Sequence, residues 1–128
     1  MLSDTEILVA VRTHGAPVVT TGNDNTENRV LWALKNLGTP YTVLDGSIYE
    51  DVGLLKIIPT MTKPGVLVVR NFHLLDPATH DAFAQYMKCA ADSRDPMEKV
   101  IAFGNQNTAS ILLGFASDLC LRLTVLKD

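Results

Sequence analysis

This chain lacks most of the features that assign a protein to a class at sight. No apolar run approaches the length of a membrane span. The opening Met1-Leu2-Ser3-Asp4-Thr5-Glu6 is acidic and has neither a basic region nor a cleavage site, so no signal peptide is expected there. Lys and Arg are scattered singly, and the formal net charge is −3 with a pI near 5.5, which argues against autonomous nucleic-acid binding through a basic face. There are only two cysteines, Cys89 and Cys120, far apart and without a C-x-x-C pair. A reducing cytoplasm suits them, and both are expected as small buried apolar residues. His14, His73 and His80 show no metal-ligand spacing, so no metal is expected. Ser47, Ser110 and Ser117 have no G-x-S-x-G elbow around them, so a hydrolase triad has no support. Repeats, low-complexity tracts and linkers are also missing.

What is present is a core. Of 128 residues, 47% are hydrophobic and 20% charged, enough for a single packed domain over residues 1–128. Ser3-x-x-Glu6 is a capping box before Ile7-Leu8-Val9-Ala10-Val11, and Gly15-Ala16-Pro17 closes that short helix. Val18 to Thr21 is a buried strand. Glu27 to Leu37 is a helix with Val30, Leu31, Leu34 and Leu37 on one face, ended by Gly38 and Pro40. Trp32 is expected at the edge of that helix, packed into the core. Tyr41 to Asp45 is the second strand, and Asp51 to Ile58 a short helix stopped by Pro59. After Pro64-Gly65, Val66-Leu67-Val68-Val69 reads as a central parallel strand. Asp76-Pro77 caps a helix that runs through Phe83 and Met87 to about Ala91. Val100 to Phe103 is the fourth strand, Thr108 to about Leu119 the last long helix, and Leu121 to Leu126 the fifth strand. Regular alternation of this kind predicts an α/β domain, a parallel sheet between layers of helix.

Inside the first strand–turn–helix lies the outline of a phosphate-binding loop without its working residues. A P-loop closes with Gly-Lys-Ser/Thr at the head of a helix, with four residues between this closing run and its first glycine. Gly22 holds the first glycine position, and Glu27, Asn28 and Arg29 stand where Gly, Lys and Ser/Thr belong. Asn23-Asp24-Asn25 reads equally as a plain polar turn.

The order of segments resembles the αβα core of an AAA+ ATPase over nearly the whole chain. Val66-Leu67-Val68-Val69-Arg70-Asn71-Phe72-His73 looks like the Walker B strand, Val100-Ile101-Ala102-Phe103-Gly104-Asn105 like the strand ending in the sensor asparagine, and Asp118 to Val125 like the last helix and strand, with Arg122 near the finger region. The resemblance implies a three-layer αβα fold with five parallel strands in the order 5-1-4-3-2, and no helical lid before Asp128. It also implies that catalysis is lost. Magnesium needs carboxylate oxygen, and the attacking water needs a base or an orienting group. Arg70 and Asn71 offer a cation and a neutral amide instead. The two degenerate motifs would adjoin at the carboxyl edge of the sheet, where an Arg70–Glu27 pair is geometrically possible; the alternative has Arg70 in solvent. Asn105 and Arg122 assist a bound nucleotide but cannot create a site.

The expectation is therefore a non-catalytic AAA+-like protein without cofactor. It would act by protein contact as an adaptor, inhibitor or assembly component, with a larger ATPase or itself as partner, and Arg122 on the contact flank. Such a stripped form would suit a phage or other compact genome. Two alternatives stay open. One is a nucleotide sensor that binds through backbone amides after Gly22, the helix dipole and Asn105. The other is a redox-inactive thioredoxin-like module, which Val18 to Asp45, Ile58-Pro59-Thr60 and Val66 to Val69 also resemble.

Overall fold

The computed structural model of the chain describes residues 2–13, 17–20, 24–48, 65–92 and 99–127. Among these residues four helices (α1, Asp4–Arg12; α2, Asp24–Asn36; α3, Pro77–Asp92; α4, Thr108–Phe115) and five strands (β1, Val18–Thr20; β2, Tyr41–Asp45; β3, Val66–Arg70; β4, Lys99–Phe103; β5, Thr124–Leu126) occur with two 3-10 turns, Phe72–Leu74 and Ser117–Leu121. The strands form one sheet in the order β2-β3-β4-β1-β5, and every pairing is parallel. That is the expected order, 5-1-4-3-2.

Why these residues make a doubly covered sheet is plain from the alternation of their side chains. Val19, Leu67, Val69, Val100 and Ala102 belong to the core shared with Phe83, Met87 and Leu112 of α3 and α4. Val18, Val66, Val68, Ile101 and Phe103 belong to the opposite core, shared with Ile7, Val30 and Leu34 of α1 and α2. Three layers result, with α1 and α2 over one face and α3 and α4 over the other.

Local signals fix most helix ends. Ser3 Oγ accepts from the Glu6 amide at 3.1 Å, and Asp4 and Glu6 in the first turn suit the helix dipole. Gly38 ends α2 at φ 69°, donating to Lys35 O, while Thr39 N–H reaches back to Leu34 O at 3.2 Å, a Schellman closure. Asp76 Oδ1 accepts from Thr79 N at 2.8 Å ahead of α3.

Lys99 starts β4 and is buried, 7% exposed. Its ammonium donates to Ala10 O and, at 2.6 Å, to Thr13 O, two carbonyls at the end of α1 that lack helical partners. Burial lowers its pKa from 10.5 to about 8. Since Lys99 lies at the amino end of β4, α1 runs from the carboxyl edge of the sheet to its amino edge. α2 leaves β1 and returns to β2, so it runs the same way beside α1.

Several expectations need correcting. α2 begins at Asp24, three residues before Glu27, so Asp24 and Asn25 are helical. α1 ends at Arg12, ahead of Gly15 and Ala16, which lie outside the described residues. The last helix stops at Phe115 and not near Leu119: Ala116 leaves helical geometry at φ −145°, ψ 82°, and a 3-10 turn follows. Gly114, Ser117 and Asp118 are weak helix formers, and the tighter turn buries Leu119 to 1% exposure. β5 shrinks to Thr124–Leu126, and Leu121 is exposed in place of opening the strand. Trp32 is exposed, 68%, and not packed in the core. Cys120 is exposed and free, also against expectation, while the side chain of Cys89 lies outside the described set. The helix expected at Asp51–Ile58 lies outside the described residues too.

Candidate functional site

A parallel sheet sends the ends of all its strands to one edge, where α/β domains bind ligands. Here that edge carries Thr20, Asp45, Arg70-Asn71, Gly104-Asn105 and the start of α2. Because β4 lies between β1 and β3, the segments after β1 and after β3 face each other across its end.

Arg70 and Glu27 bridge that gap. Arg70 Nε donates to Glu27 Oε2 at 3.1 Å, with the arginine side chain 41% and the glutamate 13% exposed. The pair anticipated from the sequence is thus formed, and the solvent-facing alternative for Arg70 is set aside. Asn71 is held at φ 52°, a left-handed conformation that Asn tolerates. Its Nδ2 donates to Asp45 Oδ1 at 2.8 Å, and Ser47 donates to the same oxygen from its amide at 2.9 Å and its hydroxyl at 2.7 Å. These bonds, Asn71 first and Ser47 next, hold the Asp45 carboxyl below its usual pKa. Gly46 completes the seam. Its N–H donates to Arg70 O at 2.7 Å, and a Cβ there would stand 2.5 Å from Asn71 O.

The remaining candidates go elsewhere. Arg29 turns away from the edge: Nη2 donates to Asp4 Oδ1 at 2.7 Å and Leu2 O at 2.8 Å, and Nε to Asp4 Oδ1 at 3.2 Å. It ties α2 to α1. Asn28 is exposed on α2, and Gly22 lies outside the described residues. Helical residues step round the axis by about 100°, so Glu27, Asn28 and Arg29 point three ways, and of these Glu27 is the one bonded across the edge. The early start of α2 leaves residues 21–23 alone between β1 and α2, and sets Glu27 to Arg29 a turn inside the helix instead of at its head. Asn105 closes the turn ahead of α4, whose N-cap is Asn107: its N–H donates to Thr108 Oγ1 at 3.0 Å and its Oδ1 accepts from Asn107 N at 2.9 Å. Arg122 precedes β5, at the amino edge, so the sheet separates it from Asn105.

Chemically, the edge presents an internally neutralised ion pair and a carboxylate that already accepts three hydrogen bonds. No group of three His, Cys, Asp or Glu that could hold a metal occurs among the described residues. His80 is a packing histidine, buried, with Nε2 2.7 Å from Phe72 O and its ring 4.9 Å from the Phe72 ring. His14 lies outside the described residues. Among the described residues no helix is long and apolar enough to cross a membrane. Sequence reasoning missed the Asp45–Asn71–Ser47 cluster; the Asp45-Gly46-Ser47 turn was its one local signal.

No protein-family model matches the chain, and no curated protein sequence does. Among solved structures it is similar to a variant of S. cerevisiae Dbp5 bound to a variant of Gle1 and IP6, with 16% identity and a TM-score of 0.33 over 99% of this chain. It spans 40% of the length of the matched chain in that complex. We build nothing on a likeness of that size. What stands of the AAA+ resemblance is its coarser part, an α/β domain with an all-parallel five-stranded sheet in the 5-1-4-3-2 order.

Proposed function

We propose that this chain is a non-catalytic, P-loop-like α/β module that works through protein–protein contact, as an adaptor, inhibitor or assembly component whose partner is an ATPase or a second copy. The observation that supports it most is the Arg70–Glu27 bond across the end of β4. In a nucleotide-hydrolysing relative of this architecture that gap takes phosphate and magnesium. Here a guanidinium and a carboxylate fill it and satisfy each other, and Asn71 is committed to Asp45. Neither group is left to hold a metal or activate water. The exposed Leu121, beside Arg122 on the flank before β5, offers the kind of apolar and guanidinium surface that protein contacts use.

Isothermal calorimetry with magnesium-ATP and magnesium-GTP tests the reading. Binding should be absent or weaker than roughly millimolar, about −4 kcal/mol, with no hydrolysis above background. Micromolar binding would overturn the non-catalytic reading and favour a nucleotide sensor.

A further inference from the structure

The two outer strands of the sheet are not alike. β5 has three residues and, being short, offers little backbone to pair with. β2 has five, each in one-to-one register with β3. Among the described residues no strand pairs with its outer side. Val66 N–H donates to Pro40 O and Gly46 N–H to Arg70 O, which fixes the parallel ladder. The backbone of Thr42 and Leu44 therefore turns toward β3, and that of Tyr41, Val43 and Asp45 turns outward. No lysine, proline or bulge guards the strand from Tyr41 to Asp45.

The same three residues share one face of the sheet. Tyr41 and Val43 stand in register with Val66 and Val68, which lie in the core beneath α1 and α2. Yet Tyr41 is 38% and Val43 40% exposed. The Arg70–Glu27 bond holds the start of α2 over the end of β3, one strand further in, and the face of β2 is left bare. Open backbone and exposed apolar side chains thus coincide on this edge, in the order Tyr, Val, Asp.

What completes an open strand edge is another strand, and the order of side chains fits a second copy. Laid antiparallel to itself about Val43, β2 sets Val43 opposite Val43 and Tyr41 opposite Asp45. The outward backbone groups then face each other. Val43 N–H reaches Val43 O in both directions, and each Asp45 N–H reaches a Tyr41 O; the Asp45 carbonyl already accepts from Ile48 N–H at 3.0 Å. Valine meets valine on the axis, and each Asp45 lies beside a phenol and not an acid. The two Asp45 residues stand four strand steps apart, roughly 14 Å, so no like charges meet in the pairing. We infer that this chain self-associates as a two-fold dimer by antiparallel pairing of β2 with β2, which joins two five-stranded sheets into one. The inference rests on the protein-contact reading and names its partner as a second copy.

Sedimentation velocity over a hundredfold concentration range, with amide hydrogen exchange followed by NMR, tests it. The wild type should show a concentration-dependent monomer–dimer equilibrium. The outward amides of Val43 and Asp45 should exchange fast when dilute and slow down as dimer forms, while the inward amides of Thr42 and Leu44 stay protected throughout. Val43→Lys sets two ammonium groups against each other on the axis and should raise the dissociation constant roughly tenfold or more. Val43→Pro removes an outward donor and no bond to β3, and should weaken the dimer without adding charge. A wild type that stays monomeric, a dimer that both folded variants keep, or a dimer whose Val43 amide gains no protection overturns the inference. The exchange measurement uses the wild type and decides even where a variant does not fold. Calorimetry with magnesium-ATP on those samples keeps the two readings apart. A monomer that ignores nucleotide sinks the dimer and leaves contact with a different protein standing, whereas a dimer that binds ATP at micromolar level sinks the non-catalytic reading alone.

Discussion

Raising the pH should stabilise this chain relative to its Lys99→Met variant. Lys99 is buried against the end of α1, and burial lowers its pKa from 10.5 to about 8. Below about pH 8 the amine is protonated in both the folded and the unfolded chain, and the cost of burying the charge is fully present. Between there and 10.5 the folded amine is neutral while the unfolded one still holds its proton. The unfolded state then binds more protons, so the free energy of unfolding rises with pH. At about 1.4 kcal/mol per pH unit the whole window is worth about 3 kcal/mol, of which about 2–3 kcal/mol is reached by pH 10. Met fills the space of the lysine stem. What the variant loses by leaving Ala10 O and Thr13 O without a donor is independent of pH and enters only as an offset. Every other ionisable group is common to both proteins and cancels in the difference. Urea unfolding followed by circular dichroism, at pH steps from about 7 to about 10, gives the two curves to subtract. A flat or falling difference would refute the reasoning, because it would mean that the two carbonyls keep the ammonium charged in the folded chain.

The ion pair across β4 predicts coupling between Arg70→Ala and Glu27→Ala. With Arg70 41% and Glu27 13% exposed, solvent screens much of the attraction, and a double-mutant cycle in urea should return about 0.5–1.5 kcal/mol; zero coupling would mean that the bond does not close the edge. Arg122→Ala should weaken association with a partner protein by about 1–2 kcal/mol or more while leaving thermal stability largely intact. Equal binding by that variant in sedimentation runs with the purified partner would move the contact away from the flank before β5.

The sheet was legible because its strands are short and apolar on both faces, a pattern that only a strand covered twice can use. Val66 to Val69 and Val100 to Phe103 needed no context. What escaped was decided at longer range. Lys99 belongs to β4, yet a lysine next to an apolar run reads as solvent, and its partners lie on α1, nearly ninety residues earlier. Arg29 was read by its place in a motif, while its bonds go to Leu2 and Asp4. The polar run at Asn23-Asp24-Asn25 reads as a turn, but Asp24 and Asn25 open α2, where short polar side chains are at home in the first turn. Trp32 was legible after all. Val30, Ala33 and Leu34 are the buried positions, and a residue two steps from Val30 points about 200° away from it. Of the candidate site, strand order brings the Arg70 and Glu27 segments to one edge but leaves open whether they bond, and the Asn71–Asp45 bond depends on a left-handed backbone that the sequence announces only as an asparagine.

The place of β1 in the sheet bears on how the chain can fold. Among the described residues it is the earliest strand, three residues long, and its partners are β4 and β5, with Val18 opposite Ile101 and Thr124. Both neighbours arrive about eighty to a hundred residues later. Until they do, β1 has no strand to pair with, and α1 and α2 have half of a core to cover. Pairings this distant carry a large loop-closure cost before they return any contact, which slows folding. A nascent or truncated chain that lacks the segment from Lys99 onward would therefore hold Val18 and Val19 uncovered, and would be a substrate for chaperones and proteases instead of a smaller version of the domain.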